Sequence, residues 1–99
     1  MTRSIRVLRR AQADLLEIRA YIARDRPAAA DSIVADILDL LGTLRRFPDR
    51  GAVPRDARLR RMGYRYLVHG EYLIFYKVLR SHVRIYRVVH GRRQYKAVL

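Results

Sequence analysis

The residues best suited to chemistry stand near the end of the chain, where His90, Arg92, Arg93 and Tyr95 fall in one short stretch. An imidazole titrates near neutral pH, so His90 could accept or donate a proton, and Tyr95 could act as an acid. The neighbouring guanidinium groups could hold a phosphate, so together these side chains could support metal-free cleavage of a phosphodiester. Two alternatives stay open: a strand-terminal histidine bonded to the sheet edge, and a tyrosine that only packs.

No residue pattern suggests a metal or a cofactor. The chain has no cysteine, and His69, His82 and His90 lack the spacing that places two ligands on one helical face. No apolar run reaches the ~18 residues of a membrane span, and the charged start lacks the apolar segment of a signal peptide. We therefore expect a cytoplasmic protein that uses no cofactor, binds no metal and does not enter the membrane.

Charge is the strongest compositional signal in this chain, which we expect to form one domain over residues 1–99. Lys and Arg total 22 against 9 Asp and Glu, a net charge of +13, and after residue 50 the acids are Asp56 and Glu71 alone. Such a field favours an anionic partner. A GC-rich genome could explain arginine in place of lysine, but it does not explain so few acids. The candidate anion-binding residues are Arg60, Arg61, Arg65, Arg87, Arg92 and Arg93.

The first half of the chain predicts a strand and two helices. Residues 4–8 alternate as a short strand, and an apolar stripe at helical spacing follows, formed by Ala11, Leu15, Ile18 and Ile22. Asp14 and Glu17 fall in the first turns of that helix, where carboxylates favour its dipole. Pro27 begins a second helix and Pro48 ends it. Its stripe consists of Ile33, Ile37, Leu40, Leu44 and Phe47.

The second half predicts a loop and then a sheet. Residues 48–63 are rich in proline, glycine and arginine, which indicates an irregular basic loop. Three β-rich segments follow at residues 64–68, 72–78 and 83–89, and the short turns between them require antiparallel hairpins. The middle segment is apolar on both faces, so it should lie inside the sheet. The predicted fold is α+β with the order β-α-α-β-β-β, an αα-hairpin packed on a small antiparallel sheet.

This succession resembles the RelE/ParE superfamily of toxins from type II toxin–antitoxin systems. The resemblance runs from residue 5 to residue 95 and rests on four segments in a fixed order. They are Ala-Asp-Leu with Ile18 and Tyr-Ile at 13–22, Phe-Pro-Asp-Arg-Gly at 47–51, Tyr-Leu-Ile-Phe-Tyr at 72–76 and Arg-Val-Val-His-Gly-Arg-Arg at 87–93. The family implies the same fold and the role of a toxin in a plasmid stabilisation-like module.

The two branches of the superfamily differ in their targets. The resemblance implies that RelE-like members cut mRNA on the ribosome with strand-borne cations, whereas ParE-like members poison DNA gyrase without a recognised nuclease centre. Here Tyr64, Tyr66 and Leu73 stand where the nuclease cations would, and only Arg93 matches. We therefore expect a ParE-like inhibitor that is not an enzyme. The RelE-like endoribonuclease is the alternative, and a non-catalytic basic nucleic-acid-binding module is a further one. Catalytic candidates for a nuclease would be His90, Arg93, Tyr95 and, after a one-residue register slip, Arg65.

The family also implies a cognate antitoxin that is ParD-like, acidic and encoded by the neighbouring reading frame. Its C-terminal segment would wrap the toxin as a helix and an extended chain, giving a toxin–antitoxin hetero-oligomer. The candidate antitoxin-binding residues are apolar and lie off the main stripe of each helix: Leu16, Tyr21, Val34, Leu38 and Leu41. The alternative for the last three is that they pack on the sheet.

Overall fold

The computed structural model describes residues 2–91 and 95–99. The elements are β1 (Ser4–Val7), α1 (Arg9–Ala23), α2 (Pro27–Gly42), α3 (Ala57–Arg61), β2 (Tyr64–His69), β3 (Tyr72–Val78), β4 (His82–His90) and α4 (Tyr95–Val98). The predicted order of one strand, two helices and three strands is confirmed. The predicted irregular loop over residues 48–63 is wrong in part, because it contains the 3-10 turn Pro48–Arg50 and helix α3. Within the described ranges, no helix is long and apolar enough to cross a bilayer.

The sheet has the strand order β1-β4-β3-β2. The three later strands pair antiparallel and β3 lies inside, as the sequence predicted. β1, however, pairs in parallel with β4, from Ser4 opposite His82 to Val7 opposite Ile85, so the sheet is mixed and not wholly antiparallel. Parallel neighbours need a long crossover, and here the helices and two strands between β1 and β4 supply it.

The α1–α2 hairpin covers one face of the sheet, which we call the hairpin face. Its buried core includes Ile74, Tyr76, Val83, Ile85 and Val88 from the strands, together with the apolar stripes of both helices. The opposite face, which we call the second face, carries a smaller cluster built on Leu59, Tyr64, Phe75 and Val89, against which Tyr95 of α4 packs. Because side chains alternate along a strand, each position in the sheet belongs to one of these two faces.

The helix stripes place the hairpin on the sheet. The four predicted stripe residues of α1 are all buried, which confirms that face: Ala11, Leu15, Ile18 and Ile22. In the second stripe Ile37 and Leu44 are buried, but Phe47 is 63% exposed, contrary to the prediction. α2 ends at Gly42 and the 3-10 turn Thr43–Arg45 follows. A 3-10 segment has fewer residues per turn than an α-helix. After it, the α-helical spacing no longer directs Phe47 toward the core.

Tyr76 fixes the segment after the hairpin. Its buried hydroxyl donates to the carbonyl of Pro48 at 2.7 Å and accepts from the N–H of Gly51 at 2.9 Å. Burial of the phenol raises the pKa of Tyr76 above its ordinary value. Gly51 has no room for a side chain, since an added Cβ would lie 2.9 Å from the carbonyl oxygen of Tyr66. The Tyr76 hydroxyl therefore holds residues 48–51 against β3, and the pairing of Ala52 with Tyr66 places the segment beside the edge of β2.

Candidate functional site

A buried ion pair joins α1 to β4. Arg87 donates from Nε and Nη2 to the two carboxylate oxygens of Asp14, at 2.8 and 3.0 Å. The two side chains are 9% and 2% exposed, and the paired contacts give the fork geometry that makes Arg–carboxylate pairs specific. Arg10 approaches the same carboxylate from the solvent side at 3.4 Å.

Asp14 also completes the edge of the sheet. β1 ends at Val7, and the last main-chain bond from this side runs from the N–H of Leu8 to the carbonyl of Ile85. Further along β4, the N–H of Val88 donates to Asp14 Oδ2 at 2.9 Å. A buried N–H without a partner is costly, so the carboxylate takes the place of the missing strand.

The sequence analysis missed this role. Helix α1 begins at Arg9, so Asp14 lies beyond its first turn and cannot serve the helix dipole as expected. The signal that could have found it is its spacing, because Asp14 stands four residues before Ile18 on the apolar stripe. Arg87 needs a correction as well: it was expected to bind an external anion, but its guanidinium is buried and committed to Asp14.

The catalytic candidates in the described residues do not meet at one site. Arg65 alternates with Tyr64 and so lies on the hairpin face, where its Nη1 donates to the carbonyls of Asp49 and Gly51 at 3.2 and 2.9 Å. Tyr95 lies on the second face. Two further candidates, Arg92 and Arg93, lie outside the described residues.

His90 closes β4 at the rim of a cleft on the hairpin side. Its Nε2 lies 3.1 Å from Glu71 Oε2, and its ring meets the ring of Tyr72 edge-on at 5.6 Å between centroids. The cleft has a volume of about 790 Å³ and reaches from the end of β4 to the C-terminal half of α1. Its lining residues include Glu17, Tyr21, His69, Glu71, Tyr72 and His90.

The positions expected to lack nuclease cations form an aromatic cluster on the second face. Tyr64 and Tyr66 contact Phe75, with ring centroids 6.5 and 5.8 Å apart, and Leu73 packs against the same cluster. Tyr95 lies over Phe75 at 5.1 Å. Burial raises the pKa of the Tyr64 hydroxyl, which disfavours its anion. These side chains stabilise the second face and supply no positive charge to a phosphate.

The basic segment before β2 is more ordered than a loop. Asp56 caps α3 by accepting the N–H of Leu59 at 2.9 Å, and this hydrogen bond lowers the pKa of Asp56. Arg58 donates to the carbonyl of Lys96 at 2.6 Å and so ties α3 to α4. Two of the candidate anion-binding residues, Arg60 and Arg61, stand exposed on α3, and Nη1 of Arg60 donates to the carbonyl of Arg55 at 3.2 Å.

The candidate antitoxin-binding residues fall into three environments. Leu16 is 67% exposed and Leu38 is 49% exposed, and with half-buried Val34 they define what we call the hairpin groove. The 2.9 Å ion pair between Arg19 of α1 and Asp31 of α2 lies where the two helices meet. Helical spacing places the three apolar residues on the same flank as this ion pair. The other two candidates, Tyr21 and Leu41, lie outside this groove.

Tyr21 is 70% exposed and lines the cleft beside His90, not the hairpin groove. Leu41 is 2% exposed and packs in the core of the hairpin face. The expectation that Leu41 contacts the antitoxin is therefore corrected, because a side chain this deeply buried cannot reach a partner without unfolding α2. For Leu41 the packing alternative is the right one.

The fold recurs in solved toxin structures. It matches a chain of the chromosomal ParDE toxin–antitoxin system from P. aeruginosa with a TM-score of 0.76 and 24% identity, covering 90% of this chain and 96% of that one. It also matches a chain of the RelBE2 toxin–antitoxin complex from Mycobacterium tuberculosis with a TM-score of 0.67 and 24% identity, covering 91% and 99%. At these identities the likeness establishes a shared α+β fold.

Sequence comparison identifies the protein family of this chain. The family described as ParE toxin of type II toxin–antitoxin system, parDE, matches residues 5–95. The chain therefore belongs to the ParE toxin family. It is also 35% identical to Y4kP of Sinorhizobium fredii (strain NBRC 101917 / NGR234), a protein named as a candidate toxin, over 97% of this chain and 92% of that one.

Proposed function

We propose that the chain arrests bacterial growth by poisoning DNA gyrase in the cytoplasm and is not an enzyme. The observation that carries this proposal is the aromatic cluster on the second face. Cleavage of RNA without a metal needs cations around the phosphate, and here Tyr64, Tyr66 and Leu73 occupy the strand positions that would supply them.

The separation of the remaining candidates supports the same conclusion. Arg65 and Tyr95 lie on opposite faces of the sheet, and the Nη1 of Arg65 already donates to two carbonyl groups. His90 stands at the far end of the hairpin face beside Glu71. A general base, a general acid and a phosphate clamp must all reach one reacting group, so the separation of these three side chains argues against a nuclease site.

Induction in a bacterium tests the proposal. We expect growth arrest with filamentation and a DNA-damage response, while protein synthesis continues in the first minutes. Primer extension on total mRNA should show no new cleavage sites. Codon-specific mRNA cuts within minutes of induction, with gyrase activity intact, would instead establish the RelE-like endoribonuclease. Normal growth at good soluble expression would contradict both.

We further propose that a ParD-like antitoxin, acidic and encoded next door, neutralises the toxin in a hetero-oligomer and places an amphipathic helix in the hairpin groove. Leu16, Val34 and Leu38 offer an apolar strip between two helices, the form of surface that such a helix recognises. Burying two exposed leucines could contribute a few kcal/mol, which would help to offset the ordering of a disordered segment.

Charge substitutions in the groove test this assignment. Leu16→Glu and Leu38→Glu should each leave the toxin folded and lethal, because both side chains are exposed, but should prevent rescue by the antitoxin. Ser32→Glu is the matched control, since it adds the same charge to an exposed position on a different flank of α2. If both leucine variants are rescued as well as the control, the antitoxin binds elsewhere.

A further inference from the structure

A row of cations crosses the second face of the sheet. Arg6 on β1 is opposite Arg84 on β4, Arg84 is opposite Lys77 on β3, and Lys77 is opposite Tyr64 on β2. Neighbouring strands lie about 4.8 Å apart, so three positive side chains occupy adjacent places on one line. This row and His90 lie at opposite ends of β4.

Within the described ranges, no carboxylate forms an ion pair with Arg6, Arg84 or Lys77, whereas Arg10, Arg19 and Arg87 each have one. Like charges placed directly opposite each other across strands destabilise a sheet. The fold therefore carries a row of adjacent positive charges that it does not neutralise itself.

The charges are held in place. The Lys77 ammonium lies 4.5 Å from the ring centroid of Tyr64 and 5.0 Å from that of Tyr86, both within cation–π range. Arg84 lies 3.4 Å from the Tyr86 hydroxyl and 3.4 Å from His82 Nε2. Aromatic faces and neutral acceptors fix these cations without cancelling their charge.

The pKa of His82 registers the same field. Burial is the first cause that lowers this pKa below its ordinary value, and the charges of Arg6 and Arg84 lower it further. The protonated form of His82 is therefore disfavoured beside the row.

We propose that the row formed by Arg6, Arg84 and Lys77 binds the phosphodiester backbone of a nucleic acid, without reading its sequence. Guanidinium forks and an ammonium donate to phosphate oxygens, and such contacts carry no sequence information. The assignment does not depend on gyrase as the target, since it concerns a surface of this chain alone.

A nucleic acid fits this surface better than an acidic peptide does. A disordered peptide must bury apolar side chains to offset the loss of its conformational entropy, whereas a polyanion gains from the release of its counterions alone. In the described part of the chain, no exposed large hydrophobic side chain lies on β1, β3 or β4, the strands that carry the row. Tyr64, at the end of the row, is 5% exposed, so its ring is not available for base stacking.

Fluorescence anisotropy with a short DNA duplex of mixed sequence, over a series of salt concentrations, tests the proposal on the full chain. Replacing all three residues by Gln should reduce the slope of log K against log salt by about 2 to 3, because each phosphate contact contributes about 0.9. Arg6→Gln alone, at an exposed position, should reduce it by about 0.9. Thermal melts confirm that each variant is folded.

The matched control replaces Arg9, Arg24 and Arg46, which are exposed positions outside the sheet, by Gln and removes the same net charge. Its slope should change by less than half as much as that of the row variant. An equal loss in both variants would assign DNA binding to diffuse charge and overturn the proposal. Binding of poly-glutamate that needs the row, with no binding of DNA or RNA, would overturn it in favour of an acidic peptide.

Discussion

Replacing Arg87 by Met should destabilise the protein by about 3–5 kcal/mol, because it leaves the carboxylate of Asp14 without its buried charge partner and only the exposed Arg10 nearby. The Val88 N–H would still donate to that carboxylate, so the variant isolates the loss of the guanidinium. A domain of this size has a free energy of unfolding of roughly 5–15 kcal/mol. At about 4–8 °C per kcal/mol, the melting temperature should fall by more than 10 °C.

Two further variants make the comparison quantitative. Arg10→Met removes a cation from the same carboxylate, but Arg10 is 48% exposed, so the cost should be below about 1 kcal/mol. The double change Asp14→Leu with Arg87→Met buries no charge and leaves the Val88 N–H unpaired, at about 1–3 kcal/mol. The double variant should therefore be more stable than Arg87→Met alone.

Urea unfolding followed by circular dichroism measures all three variants. The reasoning fails if Arg87→Met and Arg10→Met cost the same, because burial would then not distinguish the two partners of Asp14. It also fails if the double variant is less stable than Arg87→Met. Removal of the Asp14 carboxylate would then not have restored any of the free energy of unfolding.

Two other predictions concern His82 and Gly51. Burial and the nearby arginines lower the pKa of His82 in the folded protein, so the unfolded state binds more protons below about pH 6.5. The free energy of unfolding should therefore fall as the pH falls through this range. His82→Gln should flatten that dependence in urea titrations at about pH 7.5 and pH 5.5. Gly51→Ala should destabilise by more than about 1 kcal/mol in thermal melts, because its Cβ would meet the ring of Tyr76. Gly42→Ala, with open space around it, should leave stability unchanged or slightly raise it.

Local features of the fold could be predicted from the sequence. The spacing of Ala11, Leu15, Ile18 and Ile22 identified the buried face of α1, because a helix repeats its pattern within a few residues. The three C-terminal strands and the interior place of β3 followed from short turns and from a segment that is apolar on both faces. Each of these inferences uses residues that are close together in the chain.

Two of the features that the sequence analysis missed are non-local, and two others are local. Asp14 and Arg87 lie 73 positions apart, and neither side chain signals its partner. The parallel pairing of β1 with β4 depends on the path of the whole chain between them. Phe47 is exposed because a 3-10 turn breaks the helical period. Helix α3 did carry a local signal, the N-cap Asp56, but the glycines and prolines around it outweighed that signal in the prediction.

For the candidate site, the sequence identified exposed positions better than it assigned roles. Leu16 and Leu38 are exposed as expected, because each lies off the stripe that packs on the sheet. Leu41 lies close enough to the stripe to be buried, and helical spacing alone could not fix the width of the contact. The row of Arg6, Arg84 and Lys77 was not foreseen, since it requires the order and register of three strands.

The most direct test of the proposed function is the action of the purified chain on DNA gyrase. The enzyme, ATP and relaxed plasmid are incubated with and without the chain, and the DNA is analysed on a gel after the protein is denatured. We expect loss of supercoiling and accumulation of plasmid broken and covalently bound to gyrase, both prevented by the antitoxin. Normal supercoiling at excess chain, together with cleavage of mRNA in a translating extract, would contradict the proposal.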